Sequence, residues 1–272
     1  MLNLSLEKPD VKTLASVRRP ESDRVRLQER LLRIAGYVPP GSMVADIGAD
    51  HALLPIYLVK QGICHRVVAT DLKTGPLAAA RSTVALVNLG KWVELRLGDG
   101  MAIFQPGEAD VFIIAGMGGV KIIDILNRAP DVLGQANRLI LQPLGGVAQL
   151  RRWLLDNGWG LIDEDLVIDD GRYYEIIVAE HQNGLDEQAT ISGLCEQDER
   201  DLLVEIGPRL VEKRHPLLVA YLNKQIQDME SVLVALRRAQ TPTARQRKQD
   251  WAEKIAYYKE IIRRIESARP DE

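Results

Sequence analysis

The sequence predicts an α/β protein: a seven-stranded, mostly parallel sheet with helices on both faces, followed by a C-terminal α-helical hairpin. Three observations carry this reading. Between residues 42 and 158, short apolar runs ending in Gly, Asp or Pro alternate with stretches of helical spacing. Such alternation builds a parallel sheet covered on both faces, joined by right-handed crossovers. After Gly158 the order changes to two strand-like runs around Asp169-Asp170-Gly171, a hairpin signal. Beyond residue 217, apolar residues recur every three or four positions along two long stretches.

The elements follow in order. Residues 1–23 are polar, contain Pro9 and Pro20, and read as an N-terminal extension. RVRLQERLLRIAG (24–36) sets Leu27, Leu31 and Ile34 on one helical face and stops at Gly36; Pro39-Pro40-Gly41 then breaks the chain. SMVADIG (42–48) is the first strand. ALLPIYLVKQG (52–62) is a helix with Pro55 in its first turn, where a missing N–H costs little. RVVATD (66–71) is the second strand, PLAAARSTVALVNLG (76–90) a helix closed by Gly90, and WVELRLGDG (92–100) and DVFIIAGMGG (110–119) the third and fourth strands. VKIIDILNRAP (120–130) is a helix ended by Pro130, NRLILQP (137–143) the fifth strand, and VAQLRRWLLDNG (147–158) the helix before the hairpin of 159–180. Residues 181–200 are polar and read as a linker.

Leu218, Leu222, Ile226, Met229, Leu233 and Leu236 then repeat at helical spacing, as do Trp251, Ile255, Tyr258, Ile262 and Ile265. Thr241 caps the second stretch and Pro242 opens it. Two such seams joined by a short turn predict an antiparallel coiled-coil hairpin. The expected units are therefore 1–23 as extension, 24–183 as the α/β core and 184–272 as a helical domain.

Composition narrows the class. The chain has 272 residues, is 46% apolar and carries a net charge of −3, which excludes a disordered chain. No apolar run reaches the roughly 18–20 residues of a membrane helix, and the start lacks a signal-peptide segment, so a cytoplasmic protein is expected. Cys64 and Cys195 are far apart, form no CxxC and have no His cluster beside them, so neither a metal nor a disulfide framework is expected. Charge is unevenly spread. Residues 208–272 hold 14 Lys/Arg against 9 Asp/Glu, and 237–264 alone hold nine against three. Arg237, Arg238, Arg245, Arg247 and Lys248 in that stretch suit a polyanionic partner, although exposed helices also carry such charges for solubility.

The strand ends carry the chemistry. VADIGADHALL (44–54) places Gly48 where backbone must approach a ligand, yet no second glycine makes the GxGxxG turn that cradles a pyrophosphate. Asp46 and Asp50 flank the turn instead. Carboxylates repel pyrophosphate but suit the ammonium of a methionine moiety, which favours S-adenosylmethionine over NAD. Asp71, followed by Leu72, ends the second strand where a carboxylate can take ribose hydroxyls. Asp99-Gly100 ends the third, where an acid can read the adenine amino edge. An Asp after a strand also serves as a helix cap; three in strand order make a row along one edge. The fourth strand ends in Gly116-Met117-Gly118-Gly119, a loop that offers backbone and space, with Met117 as an apolar wall. An antiparallel hairpin added to five parallel strands is, by analogy of fold, the closing feature of a class I (Rossmann-like) methyltransferase.

These residues resemble a known family, the bacterial tRNA (adenine-22-N1)-methyltransferases (TrmK). The resemblance is carried by RLLRIAGYVPPG, VADIGADHALLP, ATDLKTGPL, LRLGDG, IIAGMGG, LILQP, LRRWL and YYEIIVAE, from about residue 30 to 180. IGPRLVEKRHP resembles the family's C-terminal part in type. The resemblance implies methyl transfer from S-adenosylmethionine to N1 of one tRNA adenine. It implies Asp46, Gly48, Asp71, Leu72, Asp99, Gly100, Gly116 and Gly118 as cofactor residues, and Asp50, His51 and Met117 as catalytic ones. Leu53, Gly119 and Gln142, with the five basic residues above, would meet the RNA. Leu53 stands where the family usually has Tyr, and Leu144 where it has Asn. A monomer without an obligate protein partner is expected. A methyltransferase for another RNA, a small molecule or a protein, and a non-catalytic RNA-binding protein of this fold, are the alternatives.

Overall fold

The structure is a computed structural model that describes residues 27–181, 199–236 and 241–267. The core runs α1 (Glu29–Gly36), β1 (Val44–Ile47), α2 (Leu53–Lys60), β2 (Val67–Asp71), α3 (Thr74–Leu86), β3 (Val93–Leu97), β4 (Val111–Met117), α4 (Gly119–Asn127), α5 (Pro130–Leu133), β5 (Arg138–Pro143), α6 (Val147–Asp156), β6 (Trp159–Asp169) and β7 (Arg172–His181). The C-terminal region adds α7 (Arg200–Ile206), α8 (Pro208–Glu212), α9 (Leu218–Ala235) and α10 (Pro242–Ser267).

The seven strands lie in the order β3-β2-β1-β4-β5-β7-β6. β1 runs parallel to both β2 and β4, and β7 is antiparallel to β5 and β6. Strand order reverses between β1 and β4, so a crevice opens at their carboxyl ends. The pleat divides the core. Ala45, Ile47, Phe112 and Ile114 pack with α4 and α6 through Ile122, Leu126, Leu150 and Leu154. Val44, Val111 and Ile113 pack on the other face with Ile34 of α1 and Leu54 and Leu58 of α2. Asp46 alternates with Val44 and therefore belongs to the α1–α2 face.

The hairpin signal marks a two-residue turn. Asp169 pairs with Arg172 across it, and Asp170 and Gly171 take φ +48° and +70°. Two left-handed residues make the type I′ geometry that matches strand twist. Two expected boundaries differ. The helix placed at 76–90 spans Thr74–Leu86, and Asn88 at φ +56° ends it before Gly90. Pro130 does not end α4, which stops at Asn127; it opens the short helix α5, where its lack of an N–H is harmless. Helix α1 begins at Glu29 rather than 24, although residues 24–26 lie outside the described part, as do 182–198 of the expected linker and Cys195.

The two apolar seams pack on one another: Leu218, Leu222, Ile226 and Met229 are buried, as are Ile255, Tyr258, Ile262 and Ile265. Tyr257 and Ile261 are buried too. A two-stranded coiled coil would leave those positions in water, so the hairpin is broader at its base. There α10 also meets α7 and its N-cap residue, through Lys254–Glu205 and Arg264–Glu199.

A buried polar cluster joins this helical region to the sheet. Arg151 of α6 is fully buried and bonds Glu164 Oε1 of β6 and Glu175 Oε2 of β7, each at 2.5 Å, and the Glu205 carbonyl at 3.0 Å. The Arg209 backbone N–H donates to Glu164 Oε2 (2.9 Å) and the Tyr221 hydroxyl to Glu175 Oε1 (2.6 Å). Burial and the Glu175 carboxylate push the Tyr221 hydroxyl far above its ordinary range, so it remains a donor. Nearby, His215 Nδ1 accepts from Leu217 N (3.2 Å), which leaves Nε2 to donate to Asp165 Oδ1 (2.6 Å). Among the described residues, no helix is long and apolar enough to cross a membrane, and no cluster of potential metal ligands occurs.

Candidate active site

The crevice between β1 and β4 holds a cavity of about 450 Å³. Asp46, Gly48, Asp50, His51, Leu53 and Gly116 line it from the strand ends, and Gln28, Arg30 and Leu31 close it at α1. The β1–α2 turn that builds it is conformationally demanding. Gly48 N and Ala49 N both donate to the Thr70 carbonyl of β2, at 2.8 and 3.0 Å. Gly48 takes φ +77°, and a Cβ there would fall 2.3 Å from Met117 Cε. Asp50 (φ +42°) and Ala52 (φ +54°) are left-handed without being glycine. Such residues cost on the order of 1–3 kcal/mol each and cluster at functional sites.

Asp46 is 5% exposed, and no donor reaches its carboxylate among the described residues. Burial pushes its pKa up to about 7. At the neighbouring strand end the Thr70 hydroxyl is also buried without a hydrogen-bond partner. A buried, unpartnered carboxylate bordering a cavity fits a ligand that brings its own cation, as the amino-acid end of S-adenosylmethionine does. Asp50 and His51 stand at the rim, 70% and 58% exposed, with His51 Nε2 3.8 Å from Asp50 Oδ1. They face solvent.

The row of acids continues along the sheet edge, beyond the cavity. Asp71 Oδ1 accepts from Lys73 N (2.8 Å), its second oxygen has no hydrogen bond among the described residues, and Leu72 beside it is exposed. Asp99 is ion-paired with Arg128 (2.8 Å), which also holds Asp124 (2.6 Å). Met117 Cε lies against Gly48.

Gly100, Gly119 and Gln142, expected at a ligand, are buried in the fold, whereas Gly118 is exposed. Gly100 takes φ +61° inside a 3₁₀ turn, and a Cβ there would meet Ile125 at 2.8 Å, so it serves packing. Gly118 caps α4. Gly119 is buried, and a Cβ there would stand 2.5 Å from the Gly146 carbonyl, so it lets two loops touch rather than facing RNA. Gln142 is fully buried: Oε1 accepts from Arg30 Nη1 (2.8 Å) and Gly116 N (3.2 Å), and Nε2 donates to the Pro143 carbonyl (3.0 Å). Its polar atoms are committed within the fold, which removes it from the RNA contacts. Of the basic residues, Arg245 and Arg247 are exposed on α10 and Lys248 is half-buried there, with Arg247 4.7 Å over the Trp251 ring; Arg237 and Arg238 lie outside the described residues.

Arg30 is the cavity residue that the motif reading passed over. It stands three residues after Leu27 and four before Ile34, inside the apolar stripe of α1. A charge in a buried stripe is the signal that could have marked it.

Residues 27–177 match the family model described as a methyltransferase domain. The tRNA (adenine(22)-N(1))-methyltransferase of Bacillus subtilis (strain 168) is 32% identical over 241 residues, covering 88% of this chain and 98% of that protein. The chain belongs to the tRNA (adenine(22)-N(1))-methyltransferase family. The crystal structure of the B. subtilis enzyme, TrmK, matches with a TM-score of 0.78 at 32% identity, covering 88% of this chain and all of the other. Streptococcus pneumoniae Sp1610, solved in complex with S-adenosyl-L-methionine, matches with a TM-score of 0.73 at 30% identity, covering 87% and 100%. The match to this family runs through the helical C-terminal region as well as the Rossmann-like core.

Proposed function

We propose that this chain methylates N1 of adenine 22 in tRNA, with S-adenosylmethionine as donor. The observation that carries the reading is the buried, unpartnered Asp46 carboxylate on a cavity whose rim is Asp50-His51, in a chain of this family. When bound, the cofactor supplies a methyl group on a positively charged sulfur. Asp46 holds its ammonium, Asp71 the ribose, and Leu72 an apolar surface for the adenine. N1 of the target carries a lone pair, so no strong base is needed. It lies on the pairing edge, so the nucleotide must leave its stack at a cost of a few kcal/mol. Asp50 accepts a hydrogen bond from the exocyclic amine of the target and offsets the charge the ring gains as N1 bonds to carbon. His51 and Leu53 orient the base. Alignment of the two reactants alone supplies roughly 7–11 kcal/mol.

Methyl transfer from labelled cofactor to unmodified tRNA, with mapping of the modified base, tests the whole reading. Asp50→Gly tests the residue. Glycine relieves the left-handed strain at φ +42°, so the melting temperature should hold or rise. Turnover should fall roughly 100-fold or more with cofactor affinity unchanged. Near-normal turnover would remove Asp50 from the mechanism.

The helical region, 184–272, we assign to tRNA binding, appended to a core of 24–183. Arg245, Arg247 and Lys248 neutralise phosphates. Replacing all three by Ala should weaken tRNA binding and flatten the slope of log affinity against log salt by about 2. An unchanged slope would reassign these charges to solubility. We further propose that the enzyme works in the cytoplasm, where a tRNA substrate is found, and acts as a monomer; among the described residues no helix is long and apolar enough to cross a membrane.

A further inference from the structure

We propose that Arg30 binds the carboxylate of the cofactor's amino-acid end, opposite Asp46, with Gln142 as its positioning residue. The inference rests on the S-adenosylmethionine reading above and assigns a second charge to the same ligand.

Three observations lead to it. First, among the described residues Arg30 is the one Arg or Lys lining the cavity that Asp46 and Asp50 also line. Second, no described residue neutralises its charge. Its one hydrogen bond among the described residues goes to a neutral amide oxygen, Gln142 Oε1, at 2.8 Å, and none of their carboxylates lies within ion-pair distance of it. A half-buried cation inside an apolar stripe pays desolvation that an amide oxygen only partly offsets. Third, the guanidinium is held still. Its Cζ lies 5.4 Å from the Tyr174 ring centroid, and Gln142 cannot rotate because its Nε2 is fixed on the Pro143 carbonyl and its Oε1 is shared with Gly116 N. One guanidinium edge is thereby used, and the remaining donors are left for a ligand.

A fixed guanidinium and a buried carboxylate on one cavity, unpaired with each other, are complementary to a zwitterion. Guanidinium meets carboxylate through parallel N–H···O bonds, which makes the amino-acid end the best match. Sharing Gln142 Oε1 also ties the position of Arg30 to Gly116, so the loop facing the methyl group and the amino-acid subsite are set together.

Calorimetric titration with three ligands tests this: S-adenosylmethionine, its decarboxylated analogue, and 5′-methylthioadenosine, which lacks the amino-acid end. The unaltered protein should prefer S-adenosylmethionine over the decarboxylated compound by roughly 10- to 100-fold. Arg30→Met should abolish that preference and leave methylthioadenosine binding unchanged; Gln142→Leu should reduce the preference in the same sense. Equal binding of the first two ligands by the unaltered protein, a comparison that needs no variant, would overturn the proposal. So would an Arg30→Met protein that keeps the preference but loses tRNA affinity, which would assign the guanidinium to a phosphate. Failure of all three ligands to bind would instead overturn the cofactor reading itself.

Discussion

Asp46→Asn should lower affinity for S-adenosylmethionine roughly 100-fold or more, because removing one partner of a desolvated charge pair costs about 2–5 kcal/mol. The same residue sets a pH dependence. In the empty protein burial holds the Asp46 proton up to about pH 7, against an ordinary value of 3.8. Between those values the folded state binds a proton that the unfolded chain has lost. The group's contribution to stability is therefore complete below 3.8, declines as pH rises, and is gone above 7. A cationic ligand reverses the preference by favouring the carboxylate. Binding then expels the proton below pH 7, and affinity should fall about tenfold for each pH unit lost. Titration calorimetry in buffers of different ionisation heat would show that proton release, and the Asn variant should lack it. An affinity that stays flat between about pH 5.5 and 8 would exclude Asp46 as the ammonium's partner.

Arg151→Met should destabilise the fold by about 3–5 kcal/mol. Arg151 is fully buried, as is Glu164, and Glu175 is nearly so. Taking away the cation leaves two carboxylates a short distance apart in a dry environment, where each must find a proton or water. The Glu205 carbonyl loses its donor as well, so the attachment of α7 to α6 weakens with the sheet contact. Urea unfolding would measure the loss. Replacing Arg151, Glu164 and Glu175 together by apolar residues of similar size should recover much of it, since the pair's own desolvation disappears too. A single variant within about 1 kcal/mol of the original protein would show that the cluster contributes little.

These two sites mark how far the sequence could be read. Asp46 could be picked out because it flanks the Gly48 turn, which lacks the GxGxxG pattern and carries carboxylates instead. The alternation of strands and helices, the Asp170-Gly171 turn and the C-terminal seams were legible for a similar reason: each rests on residues within about two turns of one another. Arg151 and Arg30 were half legible. Each interrupts an apolar stripe, with Val147, Leu150 and Leu154 around Arg151 and Leu27, Leu31 and Ile34 around Arg30, so burial could be suspected. Their partners could not. Gln142 lies 112 residues from Arg30, and Glu175 lies on a strand paired only after the hairpin folds back. Gly119 and Gln142 match the motifs yet are buried, because a motif reports that a residue is needed, not which way it faces.

What the chain determined alone is the order of its elements, the row of acids at the tips of β1, β2 and β3, and the basic bias of its last helix. Local periodicity and backbone preference suffice for these. What tertiary structure decided is which charges are shielded and which meet water. It buried Asp46 but left Asp50 at the rim, spent Asp99 on Arg128, and brought Arg30 beside Gly116 through one amide oxygen. The ionisation and reach of a side chain depend on what packs around it, and that packing comes from segments distant in sequence.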